Sequence, residues 1–482
     1  MRTSRLLLPA IRWDAAARFA GEAQAIDAAL ARGVGGFVLF GGDADAVRTL
    51  TADLCSRSAE PLLIGADLER GAGQQFRGAT QLPPLAAIGS LDDLSITRQA
   101  AALTAREALA LGVNWIFAPV ADLDIEPRNP IVGTRAFGAD PVRVAAHVTA
   151  WIEGCHAEGA LCCAKHFPGH GRTVADSHET LPAVDATREQ LETDLTPFRA
   201  AVVAGVDAIM TAHVAFPALD PAGVPATLSA PILDGLLRQE LGFEGLVVTD
   251  AMIMKGLLAG DDEAAAAVKA LGAGCDALLY PADLQAVADA VERAGGEALP
   301  RARLARALGR VNAAIAGAPS GGKGAWGRAT DAAWALAIAS RSIRFERGSA
   351  ECPRDFDLLT LDDDLGGPYP PPSRDAFLAG LRDAGFDPQP VAALDADRPG
   401  VIAVYADIRG WKGTPALREA ARDRLRAALE RRPDALVVLF GHARLAPMVP
   451  SENLVVAWGG EAVMQRAASR WLANASLPPD AA

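Results

Sequence analysis

The chain has 482 residues, half of them apolar, which is more than one ordinary domain holds and suits a large barrel with a smaller second domain. Its formal net charge of −13 argues against non-specific nucleic-acid binding, and no stretch of the sequence approaches the roughly 18 apolar residues of a membrane span. The apolar run near Met1 is too short for a secretory leader, so a cytoplasmic protein is expected, with cysteines 55, 155, 162, 163, 275 and 352 as small buried hydrophobes and no metal or cofactor.

In chain order, short apolar runs recur at Leu6 to Pro9, Gly36 to Phe40, Leu62 to Asp67, Val113 to Val120, Leu161 to His166, Ala208 to His213, Leu246 to Asp250 and Ala277 to Tyr280. Helical spacing separates them, as in Glu189 to Val203 behind the N-cap candidate Thr187. Runs that are continuously apolar suit parallel strands covered on both faces, and eight such units predict a (β/α)8 TIM-type barrel. The Gly/Pro/Ser stretch Ala316 to Gly324 marks its end. The predicted organisation is a barrel over 1–316, a linker and connecting helix over 317–340, and a smaller α/β domain over 341–482. That last domain contains runs at Phe356 to Leu361, Val401 to Tyr405, Ala435 to Phe440 and Leu454 to Trp458.

Asp67, Asp122, Lys165-His166, His213 and Asp250 each stand at the C-terminal edge of a different barrel run. In a parallel barrel those edges converge on one mouth, where such enzymes place their chemistry. The densest stretch runs from Lys165-His166-Phe167-Pro168-Gly169-His170-Gly171 to Asp176-Ser177-His178 and holds three of the seven histidines. Lysine is rare here, five against 41 arginines, so Lys165 beside a buried strand is not ordinary surface solvation. Retaining glycoside hydrolysis needs an attacking carboxylate and a proton donor on opposite sides of the bond. Asp250, rigidly aimed by its strand, fits the first role. His178 fits the second, with Asp176 able to accept from one ring nitrogen and orient the other.

Lys165 to Gly171, Asp176-Ser177-His178, Thr211-Ala212-His213, Gly242-Phe243-Glu244-Gly245 and Val248-Thr249-Asp250-Ala251-Met252 together resemble glycoside hydrolase family three, in particular its bacterial β-N-acetylglucosaminidases, over about residues 30 to 315. The resemblance implies that Asp250 is the nucleophile, that His178 with Asp176 is the acid/base, and that Asp67, Arg135, Lys165 and His166 hold sugar hydroxyls. It implies a carbohydrate substrate with terminal β-linked GlcNAc, from cell-wall or chitin fragments. One departure stands out: Gln75 occupies the position of a family arginine that contacts sugar, with Arg70 and Arg77 close by. A β-glycoside phosphorylase, a glucosidase or xylosidase of the same family, and a non-catalytic sugar binder are the competing readings. Gly169 and Gly171 suggest that the loop from Gly169 to Glu179 swings, with His178 well away from Asp250 until sugar binds.

Overall fold

The computed structural model describes residues 2–475 apart from 176, 178, 179, 258–261, 320, 366–370, 409–411 and 413. Its contacts divide the chain into two compact units. The first comprises Met1–Thr80, Leu94–Ile125 and Ala139–Arg328, and the second Gln81–Asp93, Glu126–Gly138 and Ala329–Ala482. The second unit thus takes two segments from within the first 316 residues.

The first unit is the (β/α)8 barrel. Its strands are β1 (Leu7–Leu8), β2 (Ala10–Arg12), β3 (Gly36–Phe40), β4 (Leu63–Ala66), β5 (Trp115–Ile116), β6 (Leu161–Phe167), β7 (Ala208–Thr211), β8 (Leu246–Val248) and β9 (Leu278–Leu279). Strands β2 to β8 pair in sequence order and all in parallel. β1 and β2 are one strand interrupted at Pro9, whose carbonyl still accepts from the Val38 N–H at 3.0 Å. The ring closes because β9 pairs with β1 and the Val248–Ala277 bridge joins it to β8. Strands β3 to β9 are buried almost throughout, the signature of a parallel sheet covered on both faces.

Local chemistry fixes the surrounding helices. Asp140 caps the helix Pro141–Ala157 by accepting from the Val142 and Arg143 N–H groups at 3.0 and 2.9 Å, with proline at the first helical position. Thr187 and Gln190 form a reciprocal capping box that starts the helix Arg188–Val203.

The second unit is built on a six-stranded sheet of β10 (Arg344–Arg347), β11 (Asp355–Asp362), β12 (Asp387–Val391), β13 (Gly400–Ala406), β14 (Leu436–Gly441) and β15 (Asn453–Val456), in the order β10-β15-β14-β13-β11-β12. Only β10 is antiparallel. Ile402, Val404, Val437, Leu439, Leu425 and Leu429 lie in its core. The segment 126–138 belongs here: the Arg444 guanidinium donates to the Glu126 and Pro127 carbonyls at 3.1 and 3.3 Å.

Candidate active site

β6 delivers two charged side chains from inside a wholly buried strand. Lys165 is 1 % exposed, a costly place for an ammonium without counter-charge. Two carboxylates supply it: Asp67, one residue past β4, at 2.5 Å and Glu69 at 2.8 Å. Glu69 is itself almost fully buried, so one of the two acids is as dry as the lysine it meets. Lys165 donates to both acids, and Asp67, 30 % exposed, is the member of the trio that reaches solvent.

His166, the next residue, is locked by Asp122. Its Nδ1 lies 2.7 Å from Asp122 Oδ2, and Asp122 Oδ1 accepts from the backbone N–H groups of His166 at 3.2 Å and His170 at 2.6 Å. Burial by itself would raise the Asp122 carboxyl, but His166 and His170 around it hold it below the usual carboxylate range. A carboxylate satisfied from three sides fixes the ring it touches.

His170 extends this network. Its ring nitrogens meet Thr173 Oγ1 at 2.7 Å and Ser177 Oγ at 3.1 Å, and burial pushes it down to about 4, against the pull of the charges on Asp122 and Asp250. The histidine is therefore neutral at physiological pH. It ties the turn after β6 to Ser177, which stands between Asp176 and His178.

Asp250 lies two residues beyond β8, half-buried, with Oδ1 accepting from the Ala251 N–H at 2.7 Å. No helix starts there among the described residues, so the carboxylate is not an N-cap. Two neighbours steady it. Thr249 Oγ1 accepts from the Leu279 N–H at 3.0 Å, and His213 Nε2 donates to the Ala251 carbonyl at 3.1 Å while its Nδ1 lies 2.7 Å from Thr227 Oγ1. His213 thus positions the peptide beside Asp250.

The structure therefore gathers Asp67, Lys165, His166 and Asp250 on ends of barrel strands. Asp176 and His178 lie outside the described residues. Arg135 falls in the second unit, at the end of the short turn Gly133–Arg135. Around the departure after β4, Gln75 Oε1 accepts from the Gly41 N–H at 3.1 Å, and Arg77 is exposed and pairs with Asp43 at 2.8 Å. Both side chains serve the neighbouring loop.

Glu69, His170, Thr227 and the three-donor role of Asp122 were not among the candidates drawn from sequence. Two local signals pointed to them: Asp67-Leu68-Glu69, a second acid two residues after the first, and His170 within the histidine-dense stretch after β6.

The described part of the loop after β6 carries one anchoring contact, and His178, whose distance from Asp250 the expected swing concerns, lies outside the described residues. The Arg172 guanidinium makes a two-point contact with Asp194, Nε to Oδ2 at 2.7 Å and Nη2 to Oδ1 at 3.0 Å. Gly171 is there for space: a Cβ would sit 2.0 Å from the Leu123 carbonyl oxygen. Its glycine admits a close approach.

Comparison with known proteins agrees with this geometry. The sequence pattern of the glycosyl hydrolase family 3 N-terminal domain matches residues 16–314. A protein of Cellulomonas fimi named beta-N-acetylglucosaminidase/beta-glucosidase is 41 % identical over 254 residues, 50 % of this chain and 44 % of the relative. The chain thus spans under half of that relative's length. A beta-hexosaminidase of Idiomarina loihiensis is 37 % identical over 255 residues, 51 % of this chain and 76 % of the relative. Among solved structures, a family 3 beta-N-acetylglucosaminidase from Paenibacillus sp. FPU-7 superposes with a TM-score of 0.87 at 27 % identity, covering 99 % of this chain and 96 % of that one.

Proposed function

The chain belongs to glycosyl hydrolase family 3, and on that premise we propose that it is a retaining exo-β-N-acetylglucosaminidase that releases terminal GlcNAc from cell-wall or chitin-derived fragments in the cytoplasm. The observation that supports this reading most is the adjacent lysine and histidine at the end of β6, each held by carboxylates of the same barrel. Half of this chain aligns with proteins named for hexosaminidase activity.

Asp250 attacks the anomeric carbon and forms a glycosyl ester as the bond to the aglycone oxygen breaks. His178, oriented by Asp176, gives that oxygen its proton. It then takes a proton from water, which attacks the anomeric carbon and releases Asp250. These two roles rest on the sequence motif. Lys165 donates to a sugar hydroxyl and Asp67 accepts from one, with His166 held rigid beside them. Losing any of these bonds leaves its partner buried and unpaired, which is what makes such contacts discriminate between sugars. Arg135 takes its hydroxyl-binding role from the resemblance alone.

The test is release of 4-nitrophenol from its β-GlcNAc and β-glucose glycosides, with and without phosphate. Preferred cleavage of the GlcNAc glycoside to free GlcNAc, independent of phosphate, is the expected result. Sugar 1-phosphate as product would make the enzyme a phosphorylase. Binding without turnover would leave only a sugar-binding protein.

A further inference from the structure

At the opposite end of β6 from Lys165, three side chains from separate elements meet. His156 comes from the last turn of the helix Pro141–Ala157, Cys162 is the second residue of β6, and Asp207 directly precedes β7. Cys162 stands three residues before Lys165, so roughly 10 Å of strand separates this cluster from the mouth. Nothing in the proposed hydrolysis uses it.

The donor atoms form a small triangle. His156 Nε2 lies 2.9 Å from Asp207 Oδ2, Cys162 Sγ lies 3.5 Å from the same oxygen, and Sγ to Nε2 is 3.7 Å. A tetrahedral zinc ion, with bonds of about 2.3 Å to sulfur and about 2.0 Å to nitrogen and oxygen, needs edges of about 3.5 Å for S–N and S–O and about 3.3 Å for N–O. Two of the three edges already match to within about 0.2 Å, and the third opens by about 0.4 Å.

We propose that Cys162, His156 and Asp207 form a binding site for a divalent cation of the zinc class, with water as the fourth ligand. Three further observations support it. The donor set of sulfur, nitrogen and oxygen selects zinc over the hard cations magnesium and calcium. Asp207 Oδ2 also accepts from the Cys162 N–H at 2.9 Å, so the ligating oxygen is held in place by a bond outside the metal's own shell. Finally, Cys162 is fully buried while His156 and Asp207 are 35 % and 26 % exposed, which leaves one side open to solvent for entry and for the water.

A plain ion pair between His156 and Asp207 would need no thiol; here the thiol faces both. The ion would clip the helix end to the feet of β6 and β7, a structural role apart from the reacting sugar.

The experiment titrates cobalt(II) into the full-length, reduced and chelator-treated protein and follows the thiolate-to-cobalt charge-transfer absorption. One equivalent with that band is expected. Cys162→Ser should abolish the band, and His156→Ala should weaken binding by at least about a hundredfold. Cys55→Ser, which alters an exposed thiol outside the cluster, should change nothing. A wild type without the band, a band that survives in Cys162→Ser, or one that vanishes in Cys55→Ser would each overturn the proposal. If Cys162→Ser does not fold, the half-exposed His156 decides alone: wild-type affinity in His156→Ala overturns the site.

Discussion

The barrel carries a histidine–aspartate pair at each end, and burial makes them different objects. At the mouth, His166 and Asp122 are 6 % and 0 % exposed with Nδ1 to Oδ2 at 2.7 Å; at the base, His156 and Asp207 are 35 % and 26 % exposed with Nε2 to Oδ2 at 2.9 Å. The distances are similar, but the surroundings are not. Asp122 takes two backbone N–H groups besides the ring and sits where water cannot substitute for any of them. Asp207 shares its load with solvent. A buried hydrogen-bonded pair is costly to break, because removing one partner strands the other away from water, and an exposed pair contributes little, so the two should respond to mutation on different scales. The histidines next to these carboxylates diverge as well. Burial pushes His170 down to about 4, whereas hydrogen bonding to Asp207 and Cys162 pushes His156 up to about 10.

The largest effect expected at the mouth is chemical. Asp250→Asn keeps the shape of the side chain and its contact with the Ala251 N–H, but an amide does not form a stable glycosyl ester. A fall in kcat of at least about a thousandfold, equivalent to about 4 kcal/mol, should accompany an unchanged melting temperature. Near-normal kcat would remove Asp250 from the nucleophile's role.

Asp122→Ala should show the buried pair's cost directly. It leaves one ring nitrogen and two backbone N–H groups without their acceptor, and each buried group left unsatisfied costs about 1 to 3 kcal/mol. Urea denaturation measures it, with Asp207→Ala as the matched change at the base. Equal losses at the two ends would break the comparison.

The barrel was legible in the sequence because its strands are continuously apolar and end in charged residues. The run Gly36 to Phe40 is β3 residue for residue. The run Val113 to Val120 shortens to Trp115–Ile116 in the sheet because Pro119 has no N–H to give, although the Ala118 and Pro119 carbonyls still accept from Cys163 and Lys165. β12 escaped notice for a related reason: Asp387-Pro388-Gln389-Pro390-Val391 carries two prolines, which only an edge strand tolerates, and it forms the edge of its sheet.

For the site, the strand-end residues Asp67, Lys165, His166 and Asp250 were visible and their partners were not. Asp122 acquires its role from residues 44 and 48 positions later, and His156 and Cys162 meet an aspartate 51 and 45 positions on. A search for closely spaced cysteines passes over a site assembled that way, since the pairing of the neighbouring strands β6 and β7 brings the groups together.

Acid should weaken the mouth through His170. Its folded pKa of about 4 lies below the ordinary 6.5, so the unfolded chain binds more protons between those values. Its contribution to stability is complete above about pH 6.5 and is lost as pH falls toward about 4, at most about 1.4 kcal/mol for each pH unit in that window. Asp122, His166 and Asp250 act on it electrostatically. Chemical denaturation at stepped pH, comparing wild type with His170→Asn, should show a shallower acid decline in the mutant. Parallel curves would take His170 out of the acid response.

The smallest effect belongs to the base, and it sharpens the comparison because it should depend on metal. In chelator-treated protein, His156→Ala removes one half-exposed partner of a hydrated pair, and such pairs contribute about 0 to 1 kcal/mol. Asp207 keeps its bond from the Cys162 N–H, so no buried group is stranded. With zinc present the wild type should gain melting temperature in proportion to the logarithm of zinc concentration, as any ligand of the folded state produces, and His156→Ala should gain far less. A mutant several kcal/mol less stable without zinc would mean that the base pair is no cheaper to break than the mouth pair, and that exposure is a poor guide to what each histidine does in this barrel.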